Sequence, residues 1–315
     1  MLQYIARRAI HSAIVLFIVT LIGFFLTHVL PGDPAGQILG DNASPQAVSA
    51  LREELNLDAP LYEQYADWLG NAVRLDFGRT FRSGLDVRSQ LTSRLAPTLE
   101  LGLLSLTISF FAALCLGTLA AARRGTWIDA VARGIGVVGI ATPNFWLGMV
   151  LILLLSVKLK WLPAYGYVPI QDDLVGNLKR IAMPVFALSL AQMAVLVRLV
   201  RASMIEVLSQ DYIRTARAKG LSMRRVHLVH GLRNAMIPVL TVAGLQIGRV
   251  IGGSAVIETI FAIPGVGRFT AESVGSHEYN VVQAVMLLAG VTIVAANLAV
   301  DLSYGWIDPR IRYRS

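Results

Sequence analysis

Arg214, Arg217 and Lys219 lie close together on a segment opened by Asp211 and closed by Gly220. Cations at this spacing can pair with an acidic surface on another protein, and the small residues Ala216 and Ala218 between them allow close approach. The carboxylate of Asp211 can cap a helix by accepting from the orphan N–H groups of the first turn. Gly220 can end that helix in the left-handed conformation without a Cβ penalty. The expected element is a short basic helix over Tyr212–Lys219. Ser222 can cap a second helix, with Val226, Val229 and Leu232 on one face. Arg249 is the other unusual side chain, because it falls in the apolar run Gly244–Gly253. A charge at mid-bilayer costs roughly 2.5–3.5 kcal/mol, so it must face a protein interior or a wet cavity. With Gln246 on its approach it either lines a path and attracts carboxylates, or pairs structurally with a carbonyl or a second subunit. Asn144 follows Pro143 in another apolar run, where the break either lines a path or simply packs.

Other chemistries are absent from the sequence. His227 and His230 are three apart, but a metal site needs at least one more ligand, so they read as polar-face residues with no metal implied. There is no Gly-x-x-x-x-Gly-Lys-Ser/Thr loop, and Gly-Lys does not occur. The chain therefore does not hydrolyse ATP itself. No Ser/His/Asp, Cys/His or paired-carboxylate arrangement suggests catalysis inside a membrane.

The elements that position these residues are membrane helices. Of the 315 residues, 55% are hydrophobic and 15% charged, and mean hydropathy is +0.60, which excludes a soluble domain of this size. The net charge of +8 reflects surplus Lys/Arg in cytoplasmic loops rather than nucleic-acid binding. Cys115 falls in an apolar run and reads as a small packing residue. A bilayer crossing needs about 20 apolar residues. Ala9–Leu30, Leu101–Ala122, Gly134–Val157, Ile181–Val197, Ala235–Ile257 and Val281–Val300 supply six. The first follows Arg7 and Arg8 but is too long for a signal-peptide core, so it counts as a span. The fold class is all-α, a six-span polytopic protein. Arg7, Arg8, Arg123, Arg124, Arg133, the eight cations of 198–238, Arg310, Arg312 and Arg314 alternate onto one side, placing both termini in the cytoplasm.

Residues 1–30 thus hold the first span, 31–97 form an extracytoplasmic segment, and 98–315 hold the other five spans with the polar loop 198–238. Within 31–97, Pro45–Leu57 reads as a helix capped by Ser44. Leu61–Leu75 carries Tyr62, Tyr65, Trp68, Leu69 and Ala72 at helical spacing. It either lies in the membrane interface or packs on the span ends. Glu258 and Asp301 sit near span ends and are expected to reach the interface.

The run Asp211-Tyr-Ile-Arg-Thr-Ala-Arg-Ala-Lys-Gly-Leu221, followed by His230-Gly-Leu-Arg-Asn-Ala-Met-Ile-Pro238, resembles the cytoplasmic signature loop of ABC-importer permeases, most closely the dipeptide/oligopeptide/nickel branch. Pro31-Gly-Asp-Pro34, Leu75-Asp-Phe-Gly78, Pro97-Thr-Leu-Glu100, Glu258-Thr-Ile-Phe261, Pro264-Gly-Val-Gly-Arg268 and Asp308-Pro-Arg-Ile-Arg312 extend the likeness over essentially the whole chain. The general Glu-Ala-Ala of such loops is replaced here by Arg214-Thr215-Ala216. The resemblance implies one of two different permease subunits, two separate ATP-binding cassette subunits carrying ATP and Mg, and an extracytoplasmic substrate-binding protein. No cofactor on this chain and no nucleic-acid partner are implied. The implied coupling residues are Asp211, Tyr212, Arg214, Thr215, Ala216, Arg217, Ala218, Lys219, Gly220, Arg224, Arg233 and Asn234. The implied cargo is a di- or oligopeptide. A nickel or metal chelate and glutathione are the alternatives within the family, and an ion-coupled secondary transporter is the alternative outside it.

Overall fold

The structure is a computed structural model that describes residues 2–29, 34–39, 43–54, 56–248 and 250–307. Pro31–Asp33, Arg249, the side chain of Asp301 and the segment 308–315 lie outside the described residues. Among the described residues there is no named strand, and Arg79 and Asp86 form one isolated bridge. The helices are α1 Leu2–Val29, α2 Pro34–Leu39, α3 Pro45–Glu54, α4 Leu61–Val73, α5 Val87–Ala122, α6 Trp127–Ala141, α7 Asn144–Leu151, α8 Leu174–Leu208, α9 Asp211–Ala218, α10 Met223–Arg225, α11 Leu232–Gly248, α12 Val250–Gly253, α13 Ala255–Ile260, α14 Val266–Gly275 and α15 Tyr279–Ile307. π-Helical turns at Ile152–Lys158 and Val226–Gly231 continue α7 and α10.

The all-α membrane architecture expected from composition is present. Val87–Ala122, Leu174–Leu208, Met223–Gly248 and Tyr279–Val300 are each long and apolar enough to cross a bilayer. The expected third span is bent by 99° between α6 and α7, where Pro143 lacks the N–H that a continuous helix needs. The described apolar stretch of α1 is Ile10–Phe25. The expected fifth span is described as α11 up to Gly248 and, from Val250 on, as α12 and α13.

The α5 and α8 helices are the longest pair and pack along one another. Ala113, Ala120, Leu196, Val197, Val200, Met204, Ala235 and Val239 join them to α11. Small residues dominate because helices in lipid associate by close packing, with no gain from leaving water. Phe111, Leu119 and Val137 point outward, as lipid-facing residues do. Cys115 is also exposed, so it is not the packing residue expected: it lies on the outward stripe of α5 with Phe111 and Leu119.

Ser44 caps α3, accepting from Ala47 N at 3.2 Å. The aromatic α4 packs on α1: the Tyr65 and Trp68 rings lie 5.4 and 5.9 Å from that of Phe24. The Tyr65 hydroxyl is 2.8 Å from Thr20 Oγ1. Packing, rather than lying in the interface, accounts for these two rings, while Tyr62 stays exposed.

Glu258 corrects a second expectation. It does not reach an interface but is fully buried. Its Oε1 accepts from Thr98 Oγ1 at 2.8 Å and Ser254 Oγ at 2.7 Å, and its Oε2 from Arg268 N at 2.8 Å. Thr98 Oγ1 in turn accepts from Val266 N at 2.8 Å. One carboxyl group therefore ties α5, α13 and the start of α14 together. Gly265 is required beside it, since a Cβ there would sit 2.3 Å from the carboxyl carbon. Gly265→Ala is expected to destabilise the protein by about 1–3 kcal/mol, the usual cost of overpacking, read as a lower melting midpoint in detergent. Thr98→Val strips the same hub of a donor and an acceptor, so the double variant should lose less than the two single losses added.

Candidate functional site

The polar segment 198–238 is mostly helix. The α8 helix continues to Leu208, and the helix that becomes α11 begins at Met223. Between them stands α9, Asp211–Ala218, one residue earlier than expected at each end. Gln210 is its N-cap and makes no side-chain cap bond. Asp211 is thus not the cap: it lies inside the first turn, where its charge still suits the helix dipole, and pairs with Arg214 at 3.3 Å. Gly220 closes the helix as expected, at φ +77°, donating from its N to Arg217 O at 2.9 Å. Ser222 caps the next turn, accepting from Arg225 N at 3.4 Å.

The inner face of α9 is apolar. Ile213 and Ala216 are buried against Val226, with Leu208 and Leu221 packed around them. Ala216 therefore faces its own chain and is not available for close approach by a partner. Val226 is buried but Val229 is half exposed, because the π turn over 226–231 carries an extra residue and rotates the face expected from an α spacing. Tyr212 accepts at its hydroxyl from Asn234 Nδ2 at 3.1 Å, and Asn234 Nδ2 also donates to His230 O at 2.8 Å. The outer face presents Asp211, Tyr212, Arg214, Thr215, Arg217, Ala218, Lys219 and Gly220, with Arg224 and Arg233 exposed nearby. Of the twelve residues expected to form this surface, only Ala216 points inward.

A second feature lies between the long helices. A cavity of about 340 Å³ is lined by residues of α5, α6, α7, α8, α11 and α12 together with Ser254, which precedes α13. Asn144 and Gln246, expected on separate grounds, both line it. Asn144 is brought there by the bend at Pro143, and its Oδ1 accepts from Phe145 N at 2.9 Å. Gln246 Nε2 donates to Gln192 O at 3.5 Å, while Gln246 Oε1 is buried with no partner among the described residues. Gln192 Oε1 accepts from Ser109 Oγ at 3.2 Å. Ser105, Gln192 and Ser254 also line the cavity; sequence reading missed them, since a lone Ser or Gln in an apolar run carries no signal of direction. Among the described residues that line it there is no Asp, Glu, Lys or Arg. The cavity thus offers amides and hydroxyls that can exchange hydrogen bonds with a polar, amide-bearing guest.

The segments expected outside the membrane are joined to one another. Glu278 accepts from Phe81 N at 2.6 Å and Arg82 N at 2.9 Å, and Gly166 N donates to Phe261 O at 2.9 Å. Tyr167 donates from its hydroxyl to Glu100 Oε2 at 2.5 Å. Burial, and then the Glu100 carboxylate beside it, push the Tyr167 phenol well above its ordinary pKa. Among the described residues no group of three or more His, Cys, Asp or Glu is placed to hold a metal ion.

Comparison with known proteins gives matches along the whole length. The family described as binding-protein-dependent transport system inner membrane component matches residues 113–313, and the N-terminal part of such membrane components matches residues 1–101. The chain is similar to the glutathione transport system permease protein GsiC of Escherichia coli (strain K12), with 43% identity over 314 residues and 100% of each chain covered. It is also similar to putative peptide transport system permease proteins of Brucella. The one from Brucella abortus (strain 2308) is 41% identical over 313 residues, covering 99% of this chain and 100% of that one. The one from Brucella melitensis biotype 1 is 41% identical over 313 residues, covering 99% of each.

The buried face of α9 makes its own prediction. Ile213→Ala should loosen the contact between α9 and Leu208 and Val226 by about 2 kcal/mol or more. Amide exchange across Asp211–Ala218 then speeds up about 30-fold, with α5 and α8 unchanged in hydrogen-exchange mass spectrometry.

Proposed function

Because the chain belongs to the family of binding-protein-dependent transport system inner membrane components, we propose that it forms one half of a membrane path whose other half is a second, homologous permease. It is a multi-pass inner-membrane permease of an ABC importer and not an enzyme. The importer's ATPase and substrate-binding proteins are its working partners. In the arrangement proposed, two ATP-binding cassette subunits carry ATP and Mg and grip α9 from the cytoplasmic side. The binding protein docks outside on 31–97, 158–180 and 263–280. Closure of the ATPases moves α9 as a rigid body and switches the spans between inward- and outward-open arrangements.

One observation carries this reading. The α9 helix is seated by Ile213 and Ala216 while Arg214, Arg217 and Lys219 stay exposed on the opposite face. A lone solvated loop has no need of a buried inner face. The flanking helices reach to within a few residues of α9 at both ends, so little slack absorbs a push.

We infer that the cargo is a di- or oligopeptide, passing beside Asn144 and Gln246. The names of the Brucella relatives support this, as does the unpartnered Gln246 Oε1, which can accept from a peptide N–H. Glutathione is the second reading, supported by the name of the Escherichia coli relative and by chemistry, since it too carries amide N–H groups. Arg249, on this proposal, favours carboxylate-bearing cargo on the same path.

Two measurements test these roles. With Arg217→Glu and Lys219→Glu together, co-purification of the ATPase subunits should fall at least about tenfold, and ATP-dependent uptake into proteoliposomes should fall with it. Unchanged co-purification, or uptake by the chain without ATPase subunits, would refute the coupling role of α9. Competition of uptake by dipeptides, glutathione and a nickel chelate separates the cargo classes. Arg249→Ala should raise KM for the native, carboxylate-bearing cargo about tenfold or more, the scale of losing a charge-assisted contact.

A further inference from the structure

Asp129, in the first turn of α6, is 2% exposed although it is a carboxylate. Arg201 of α8 grips it with two prongs: Nη2 donates to Oδ2 at 2.9 Å and Nε donates to Oδ1. Gly125 N donates to Oδ2 at 3.1 Å. Arg133, one turn on, places Nε 3.9 Å from the same oxygen. The sequence gives no warning of this pair, since Arg201 counts there as one of eight loop cations and Asp129 as an isolated acid.

Its place in the fold suggests a role. Arg201 lies on the stretch of α8 that ends in Leu208, and Leu208 packs against the buried face of α9. The α6 helix runs along α8: a Cβ at Gly136 or Gly139 would come within 2.8 Å of Arg198 or 2.7 Å of Ala194. At its far end α6 meets the 99° bend at Pro143, beyond which Asn144 lines the cavity. Smooth, small-residue packing between two helices lets one slide past the other. A two-pronged ion pair on a buried carboxylate does not, because shear strands the charge of Asp129, while Arg201 is part-exposed.

We propose that Asp129 is a positioning residue: its two-pronged pair with Arg201 fixes α6 to the end of α8 that carries α9, so that displacement of α9 is delivered to the Pro143 bend and the cavity together. This rests on the reading of α9 as the ATPase contact. The pair adds a second mechanical output to that contact. Movement of α9 reaches α8 directly by chain connection, and Asp129 supplies the charged link that carries it on to α6 beside the close packing at Gly136 and Gly139.

The test uses the whole transporter in proteoliposomes, with this chain, its permease partner, the ATPase subunits and the binding protein. Both ATP hydrolysed and cargo taken up are counted. Asp129→Asn keeps the shape and removes the charge; Arg201→Lys keeps the charge and loses the fork. The expected result is that hydrolysis continues while cargo moved per ATP falls at least about fivefold, the low end of measured coupling energies, with the Lys variant less affected than the Asn variant. Spin labels at the exposed Val131 and Phe145, one on each side of the bend, should change separation on ATP binding in the parent complex and lose that change in the variants. An unchanged cargo-to-ATP ratio overturns the proposal, as does a fall in hydrolysis and uptake together at constant ratio, which is loss of assembly alone. If the Asn variant does not assemble, the Lys variant decides by the same ratio. A parent complex that holds no ATPase subunit overturns the underlying reading of α9 instead.

Discussion

A hydrocarbon environment offers backbone N–H and C=O groups no partner, and the rest of this molecule follows from that. The long helices satisfy their own backbone, so the sequence need only supply apolar length. The constraint becomes exacting wherever a helix must break. At Pro143 the chain turns sharply between α6 and α7, and from Ala255 on the short helices α13 and α14 follow one another. These irregular stretches lie inside the protein or beside the cavity, where other groups can satisfy them. It is there that the polar chemistry gathers.

Three buried carboxyl groups do much of this work. Glu258 and Glu278 accept mainly from hydroxyls and backbone N–H groups of distant segments, whereas Asp129 takes a guanidinium. The difference fits what each joins. Glu258 and Glu278 stabilise junctions of short helices and loops, whose free backbone donors need an acceptor. Asp129 links two regular helices: one backbone donor, Gly125 N, reaches it, and the guanidinium of Arg201 supplies the rest. Each group is costly to bury alone and stable only because several donors converge on it, which makes all three junctions specific in register.

Much of this was legible in the sequence, for physical reasons that differ by element. Long apolar runs gave the membrane helices, since length and composition are direct consequences of bilayer thickness. Gly220 gave the end of α9, because a left-handed residue at that place has few alternatives to glycine. Seven family motifs gave the transporter class. The sequence was mute or misleading wherever direction mattered. Glu258 lies near the end of an apolar run, and chain position alone cannot say whether such a side chain turns inward or out. Asp211 has the right chemistry for a cap, yet the turn begins at Gln210 and Asp211 falls inside it. Val229 was assigned by α-helical spacing to a face that the π turn rotates away. Asp129 and Arg201 are far apart in the chain, and neither has a local feature that names the other. Ser105 and Gln192 became visible as cavity residues only once α5 and α8 were packed on one another.

The α9 helix shows how these levels act together. Eight residues are too few to hold a helix in water, because nucleation costs more than so few hydrogen bonds return. Its helicity must therefore come from Ile213 and Ala216 resting on Leu208 and Val226, with Gly220 stopping it. The same dependence fixes its orientation: α9 is aligned by the ends of the two long helices that flank it and has no preferred direction of its own. Anything that grips the exposed Arg214, Arg217 and Lys219 must then act on α8 and on the helix that becomes α11 at once. A longer, self-sufficient helix on flexible joints would swing without moving either one. A marginal helix moulded to its seat cannot move independently, and this is what allows so small a surface to transmit force to helices several times its length.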